Sequence, residues 1–333
     1  MRIKKFLRKF LPAPAETLEM GFTDIHSHIS DLENRIRIME MNQKNFENLL
    51  YDHLDPALFS HVIKRWYQNN TGNILNLEDP KTYNEKIQWM KVFDRDPRKT
   101  MLSDKYLVRD WVKDKIGEEY LIPLLAVYRR AEEIDFERLP RSFVLKANHG
   151  CGMNYIVRDK THENFEMIRQ RARDWLETNY AYQFGYELQY NDINRKLIVE
   201  QYLENIDGDL PDYKFWCFDG KCKFIELIIG RGSEEGPRFG FYNTFWDLQP
   251  FSTGTYPKLK HSVEKPDSLE KMIEIAETLS EGFPHVRVDL YLLDNGIIKF
   301  GEMTFTTSSG VCRWDPPEAD LLIGNLINLP KIS

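Results

Sequence analysis

Two apolar runs near the C-terminus, Val286 to Leu293 and Ile297 to Phe305, flank Asn295-Gly296, the strongest short-range sequence signal for a two-residue hairpin turn. With Asp294 paired to Ile297, the register sets Asp289 opposite Glu302 and Arg287 opposite Thr304. All four then share a face, because side chains alternate along a strand. Opposed residues sit roughly 4.5–5.5 Å apart at Cβ, where like charges destabilise each other, so two facing carboxylates call for a cation. A solvated face, or a turn of another length, is the plain alternative.

Upstream, the apolar spacing changes period. Ile25, Ile29, Leu32, Ile36, Met39, Gln43, Phe46, Leu50 and His53 alternate steps of four and three, a heptad repeat with Ile29, Ile36, Gln43 and Leu50 at a. β-Branched residues at a with Leu32 at d lean toward a parallel homodimer through residues 25–53; one long helix packed on its own body is the alternative. Asp24, His26 and His28 form a DxHxH string, but helical periodicity points the two histidines roughly 200° apart, so they cannot share a metal. Residues 1–12 mix Arg2, Lys4, Lys5, Arg8 and Lys9 with Phe6, Leu7, Phe10 and Leu11, the pattern of a basic amphipathic helix able to rest on an anionic membrane.

Between these ends, residues 55–140 read as mostly helical. Asp55-Pro56 opens one helix, Thr82-x-x-Glu85 is a capping box opening the next, and Ser103-Asp104-Lys105 starts a third that stops at Gly117. Lys105 in that first turn is poorly matched to the helix dipole, which suggests that it reaches for an anion. Phe143 to Lys146 is a short strand, and Tyr155 to Arg158 another. The loop between them, Asn148-His149-Gly150-Cys151-Gly152-Met153-Asn154, can fold its backbone N–H groups over phosphates. It matches neither GxxxxGK[ST] nor GxGxxG. A helix at 163–181, a strand at 196–203, a hairpin through Asp219-Gly220 and a helix from Pro266 to Ser280 complete an α+β pattern with antiparallel sheets.

Composition narrows the class. A net charge of −7 argues against a general nucleic-acid binder, and no apolar run approaches the roughly 20 residues that span a bilayer. Cys151, Cys217, Cys222 and Cys312 form no CxxC pair, and no secretory h-region precedes them, so the chain reads as cytoplasmic and reduced.

The strings YNEKIQW, SDKYLVRDWV, FVLKANHGCGMN, LIVEQYL and RVDLY with FGEMTF resemble the ATP-grasp superfamily over Thr82 to Gly310, most of all the branch named after the TupA teichuronopeptide biosynthesis protein. That resemblance implies an ATP-grasp fold of two α+β subdomains with antiparallel sheets, preceded by a helical region and an N-terminal coiled-coil helix. The organisation expected is a basic tail at 1–20, a coiled-coil helix at 21–54, a mostly helical region at 55–140, a first ATP-grasp subdomain at 141–203 and a second, with a metal-binding hairpin, at 204–333. It also implies ATP and Mg²⁺. Lys105 and Lys146 would meet phosphates, with the loop of Asn148, Gly150, Gly152 and Asn154 closing over them. Glu200, Gln201 and Leu203 would hold adenine, Asp212 or Glu204 the ribose, and Lys214 a phosphate. Arg287 with Lys146 would be catalytic, and Asp289, Glu302 and Thr304 would bind metal, Thr304 standing where the family has Asn.

The implied activity is a carboxylate–amine ligase working through an acyl phosphate, for an amino acid or amine and a uronic-acid carboxylate in capsule or other surface-polysaccharide biosynthesis. Arg231, Arg238 and Arg313 are candidate anchors for a substrate carboxylate; His149 and Cys151 read as loop residues. A kinase using the same ATP site and a non-catalytic coiled-coil scaffold are the competing readings. A glycosyltransferase DxD is approached only by Asp207-Gly208-Asp209.

Overall fold

A computed structural model describes residues 56–205, 209–231, 233 and 235–331. Of the two compact units into which the chain divides, 1–57 and 58–333, it therefore covers essentially the second. The basic tail, the heptads and Asp207-Gly208 lie outside the described residues. No helix among those described is long and apolar enough to cross a membrane.

The region before the sheets opens with α1 (Pro56–Thr71) and α2 (Tyr83–Phe93). The capping box at α2 is formed as expected: Thr82 Oγ1 accepts from Glu85 N at 3.2 Å, and Glu85 Oε2 accepts from Thr82 N at 3.0 Å. Such a cap stabilises a helix start by about 1 kcal/mol. The next expectation needs correction. In place of one helix from Ser103 there are two short ones, α3 (Arg98–Ser103) and α4 (Val108–Lys115). Asp104 breaks the run because its Oδ1 accepts from the backbone of Tyr106 at 2.8 Å and Leu107 at 3.3 Å. Lys105 thus sits in a turn, where the dipole argument does not apply.

Two antiparallel sheets follow. The first has the order β1-β4-β2-β3, built from β1 (Leu124–Tyr128), β2 (Phe143–Ala147), β3 (Asn154–Val157) and β4 (Leu197–Gln201). β1 falls in the stretch read as mostly helical, so the sheet begins earlier than the sequence pattern suggests. The helix expected at 163–181 is divided into α5 (Phe165–Glu177) and α6 (Tyr180–Gln183), because Asn179 caps the second through Ala181 N. Phe143, Leu145, Ala147, Leu197 and Val199 pack on Ile168 and Ala172 of α5. Alternation then turns Lys146 and Glu200 to the other face.

The second sheet runs β7-β6-β5-β8-β9, from β5 (Asp212–Phe218), β6 (Lys221–Ile229), β7 (Arg238–Asn243), β8 (His285–Leu292) and β9 (Ile298–Thr304). Helix α7 (Leu269–Ser280) covers one face, packing Leu269, Met272, Ile275 and Leu279 on Phe215, Val286, Val288 and Leu290. Asp219 and Gly220, at φ 47° and 72°, make the left-handed two-residue turn expected between β5 and β6. A short helix, α8 (Ala319–Gly324), packs against α2 near the C-terminus.

The β8–β9 hairpin combines a correction with a confirmation. Its loop has three residues, Asp294 to Gly296: Leu293 N donates to Ile297 O at 3.0 Å, Gly296 N to Leu293 O at 2.8 Å, and Gly296 takes φ 78°. Near the tip Leu290 faces Phe300 and Leu292 faces Ile298, one residue off the expected register. A bulge at Gly301 restores it, so that Asp289 faces Glu302 and Arg287 faces Thr304, as the sequence suggests.

Candidate active site

The faces of the two sheets not covered by α5 and α7 bound a cleft with two chambers. The outer one, about 610 Å³, is lined by Lys105, Lys146, Gly152, Asn154, Asp212 and Glu302, with Met153, Ile156, Leu203 and Leu210 as its apolar wall. The inner one, about 450 Å³, is lined by hydroxyls of Thr253, Thr255 and the Thr304–Ser309 loop, with aromatic rings of Trp66, Tyr180 and Tyr256. Lys214, Arg231, Arg287, Glu302, Cys151 and Tyr256 border both.

Register explains how the charges meet. β5, β8 and β9 place Lys214, Asp289 and Glu302 in one row, since Lys214 faces Asp289 and Asp289 faces Glu302. The cation that two facing carboxylates require is supplied by the chain. Arg287 donates to Asp289 Oδ1 at 2.7 Å and Oδ2 at 2.8 Å, to Thr304 Oγ1 at 3.1 Å and to Glu302 Oε1 at 3.4 Å. Lys214 reaches Asp289 at 2.5 Å and Asp212 at 2.8 Å, and Lys105 lies 3.7 Å from Glu302. Burial would raise the Glu302 carboxyl, but Lys105, Arg287, Lys214 and Lys146 bring it down to about 2, so it stays ionised. Against the cost of burial, Asp289 and Asp212 hold the Lys214 ammonium well above the usual lysine value. Arg287 is likewise raised, mainly by Asp289 against burial.

These residues fit a hard divalent cation. Two carboxylates, one of them 29% exposed at the side chain, and a hydroxyl give an oxygen-only donor set, which is the kind Mg²⁺ takes when phosphates supply further ligands. Among the described residues no group of three or more His, Cys, Asp or Glu side chains forms a complete cage. A metal here would depend on oxygens from a bound ligand.

The first sheet contributes Lys146, whose Nζ is 2.7 Å from Glu200 Oε2. Arg109 holds the other oxygen of Glu200 at 3.1 Å. The Glu200 carboxylate, 7% exposed, therefore positions a lysine and is absent from the outer chamber lining, unlike its expected place beside a base. Gln201 is exposed at the strand end and also outside that lining, while Leu203 and Glu204 line it.

In the glycine loop, Lys105 Nζ donates to Gly150 O at 2.6 Å, and Gly152 takes φ 72° beside open space. Asn148 departs from expectation. It is fully buried, donates to Asp104 Oδ1 at 2.9 Å and accepts from Lys196 N at 2.7 Å, so it pins the root of the loop. His149 is buried too. Its Nε2 lies 3.0 Å from Trp175 O, and burial lowers its pKa to about 4. Cys151, by contrast, is exposed at the border of the two chambers.

Of the candidate anchors, Arg231 borders the cleft, 3.2 Å from Asp212 and over the Tyr256 ring. Arg238 pairs with Glu235, and Arg313 lines a separate groove with Asn84 and Trp314, so neither reaches the cleft. Residues not anticipated from the sequence are Arg109, Tyr202, Glu226, Tyr256 and the Thr306–Ser309 loop. Nothing in their local patterns marks them; Glu226 is brought in by strand pairing, Arg109 by α4, Tyr202 and Tyr256 by loops, and the Thr306–Ser309 segment by left-handed turns at Ser308 and Ser309 (φ 49° and 52°).

The profile of the family described as TupA-like ATPgrasp matches residues 85–328. None of the curated proteins compared matches the chain. Solved structures that resemble it include D-alanine–D-alanine ligase from Bacillus anthracis complexed with ATP, at 18% identity and TM-score 0.36, covering 62% of this chain and 55% of that one. The D-cycloserine synthetase DcsG gives 16% identity and TM-score 0.37, covering 69% of this chain and 70% of that one. N5-carboxyaminoimidazole synthetase from Staphylococcus aureus complexed with ADP gives 10% identity and TM-score 0.37, covering 69% and 53%. The chain spans about half the length of the first of these, 55%.

Proposed function

Because the chain belongs to the TupA-like ATP-grasp family, we propose that it is an ATP-dependent ligase that joins a carboxylate to an amine through an acyl phosphate. The observation that carries this reading is the convergence of Lys105 and Arg287 on Glu302, with Lys214 on Asp289 and Lys146 across the same cleft. Such a row of cations along one cleft is suited to a polyphosphate.

In this reading adenine lies against Met153, Ile156, Leu203 and Leu210, the ribose hydroxyls meet Asp212 or Glu204, and the phosphates run along Lys146, Lys105 and Lys214. Mg²⁺, when bound by Asp289, Glu302 and Thr304, would offset phosphate charge. Arg287 is placed to stabilise charge on the transferring phosphoryl group. The substrate carboxylate attacks the γ-phosphorus and ADP leaves; the amine then attacks the acyl carbon and phosphate leaves. Gly150 to Asn154 would cover the hydrolysable intermediate and exclude water.

The finer reading, carried by the family branch, is an amino acid or small amine joined to a uronic-acid carboxylate during surface-polysaccharide assembly. It includes subdomains at 141–203 and 204–333, a homodimer through 25–53, and a cytoplasmic protein whose residues 1–12 rest on the inner face of the membrane. The test is an ATP-turnover screen of uronic-acid nucleotides and polymers crossed with amino acids, with mass spectrometry for the amide. ADP release that needs both a carboxylate and an amine is expected. A stable phosphorylated product formed without any amine would replace the ligase by a kinase.

A further inference from the structure

Of the carboxylates around the cleft, Asp289, Glu302, Asp212 and Glu200 each have a cation within ion-pair distance, and Glu204 is exposed. Glu226 has none among the described residues. It lines the inner chamber, is 6% exposed, and uses Oε2 to accept from Trp216 Nε1 at 3.1 Å, which leaves Oε1 without a hydrogen bond among the described residues. The nearest charges are Arg287, Lys214 and Asp289, and the two cations are already engaged by Asp289, Glu302 and Asp212. Glu187, the other buried carboxylate lining this chamber, is surrounded by the hydroxyls of Thr306, Ser309 and Tyr180 and is satisfied by them.

Burial pushes the Glu226 carboxyl up, against the pull of Arg287 and Lys214, and a cation that reaches its unpaired oxygen favours the charged form. The chamber is built for such an arrival, since the rings of Trp66, Tyr180, Phe184, Tyr190 and Tyr256 line it and aromatic faces attract cations. Position agrees as well. Glu226 on β6 faces Lys214 on β5, which in turn faces Asp289 on β8, so at roughly 4.8 Å per strand the backbone of Glu226 lies roughly 10 Å from that of Asp289.

We propose that Glu226 is the counter-ion that receives the primary ammonium of the incoming amine in the inner chamber. The identification of the ligand as the joined amine rests on the ligase reading; the ammonium site itself rests on the chamber. It follows that the amine enters on the side of β6 and Thr253, opposite the nucleotide.

The test compares the full-length protein with Glu226→Gln, whose side-chain oxygen can still accept from Trp216. Ethylammonium and 1,4-diaminobutane are titrated as chlorides while tryptophan emission is followed, with 1-propanol and potassium chloride as uncharged and ionic-strength controls. A saturable response to the ammonium probes alone, weakened at least tenfold in the variant, is expected. Equal affinity in the variant, or no saturable response in the wild type, overturns the proposal. The unfolding midpoint of the ligand-free variant should equal or exceed that of wild type; a midpoint several degrees lower would assign Glu226 to the fold instead. In turnover, the variant should raise the KM for the amine at least tenfold and leave the KM for ATP within twofold. If no pair of substrates gives amide while the Glu226-dependent response persists, the ligase reading falls and the ammonium site stands.

Discussion

At the scale of single residues, the two metal-ligand candidates differ in what surrounds them. Glu302 is part-exposed and shares its cations, whereas Asp289, 2% exposed, is the main partner of both Arg287 and Lys214. Glu302→Gln is expected to abolish Mg²⁺-dependent ATP turnover with the fold intact by circular dichroism. Asp289→Asn should abolish turnover and also lower stability by about 3 kcal/mol in urea titrations, because it leaves buried cations under-compensated. Turnover at the wild-type rate in either variant removes the metal assignment. Two buried histidines set the acid limit. His285 donates from Nδ1 to Cys217 O at 2.9 Å and accepts at Nε2 from the Tyr83 hydroxyl at 3.2 Å, a neutral tautomer. Burial lowers it to about 3 and His149 to about 4. Both bind a proton in the unfolded chain near pH 6.5 but not in the folded one. Their stabilisation is therefore complete above pH 6.5 and drains away as pH falls toward 4, on the order of 2 kcal/mol per histidine between pH 6.5 and 5. Denaturant titrations at several pH values should show the slope reduced by one proton in His285→Phe; an unchanged slope refutes the assignment.

At the scale of elements, the hairpin shows what the sequence carries and what it hides. The pairing of Asp289 with Glu302 was legible, yet it arises from two features that offset each other, a three-residue tip and a bulge. Core residues on β9 and just past its end are Ile298 and Phe300, then Met303 and Phe305. The step of three in that series is the sequence mark of a phase change, and Gly301 sits within it. A Cβ at Gly301 would lie 3.1 Å from Asp289 O and 3.2 Å from the Tyr291 ring. Gly301→Val should cost about 1–3 kcal/mol by crowding and raise the KM for ATP, read by denaturation and steady-state kinetics. An unperturbed variant would show that the bulge does not need glycine. Lys105 teaches the converse: its helical context was misread, and the turn at Asp104 instead carries its ammonium to Gly150 O and to within 3.7 Å of Glu302. Asn148 could not be separated from its loop neighbours by pattern, since the buried acceptors and donors it serves, at Asp104, Asn194 and Lys196, lie elsewhere in the sequence.

At the scale of the whole molecule, two sheets that share no strand pairing supply opposite walls of one cleft, which local patterns cannot reveal. What was legible was each wall separately: strand, glycine loop and lysine on one side, hairpin and carboxylates on the other. The segment before Asp55 belongs to the other unit and is tested on its own terms. Sedimentation of the full chain against a chain beginning at Asp55 should show loss of a dimer, and an unchanged mass would refute the heptad reading. Within the second unit, the exposed tip from Asp294 to Gly296 is separated from Glu302 by the Gly301 bulge. Added length at the tip lengthens the hairpin away from the cleft without changing which side chains look into it. The tip is thus a natural insertion point: a short peptide tag between Asn295 and Gly296 should leave turnover within twofold, whereas the same tag beside Gly301 should silence it.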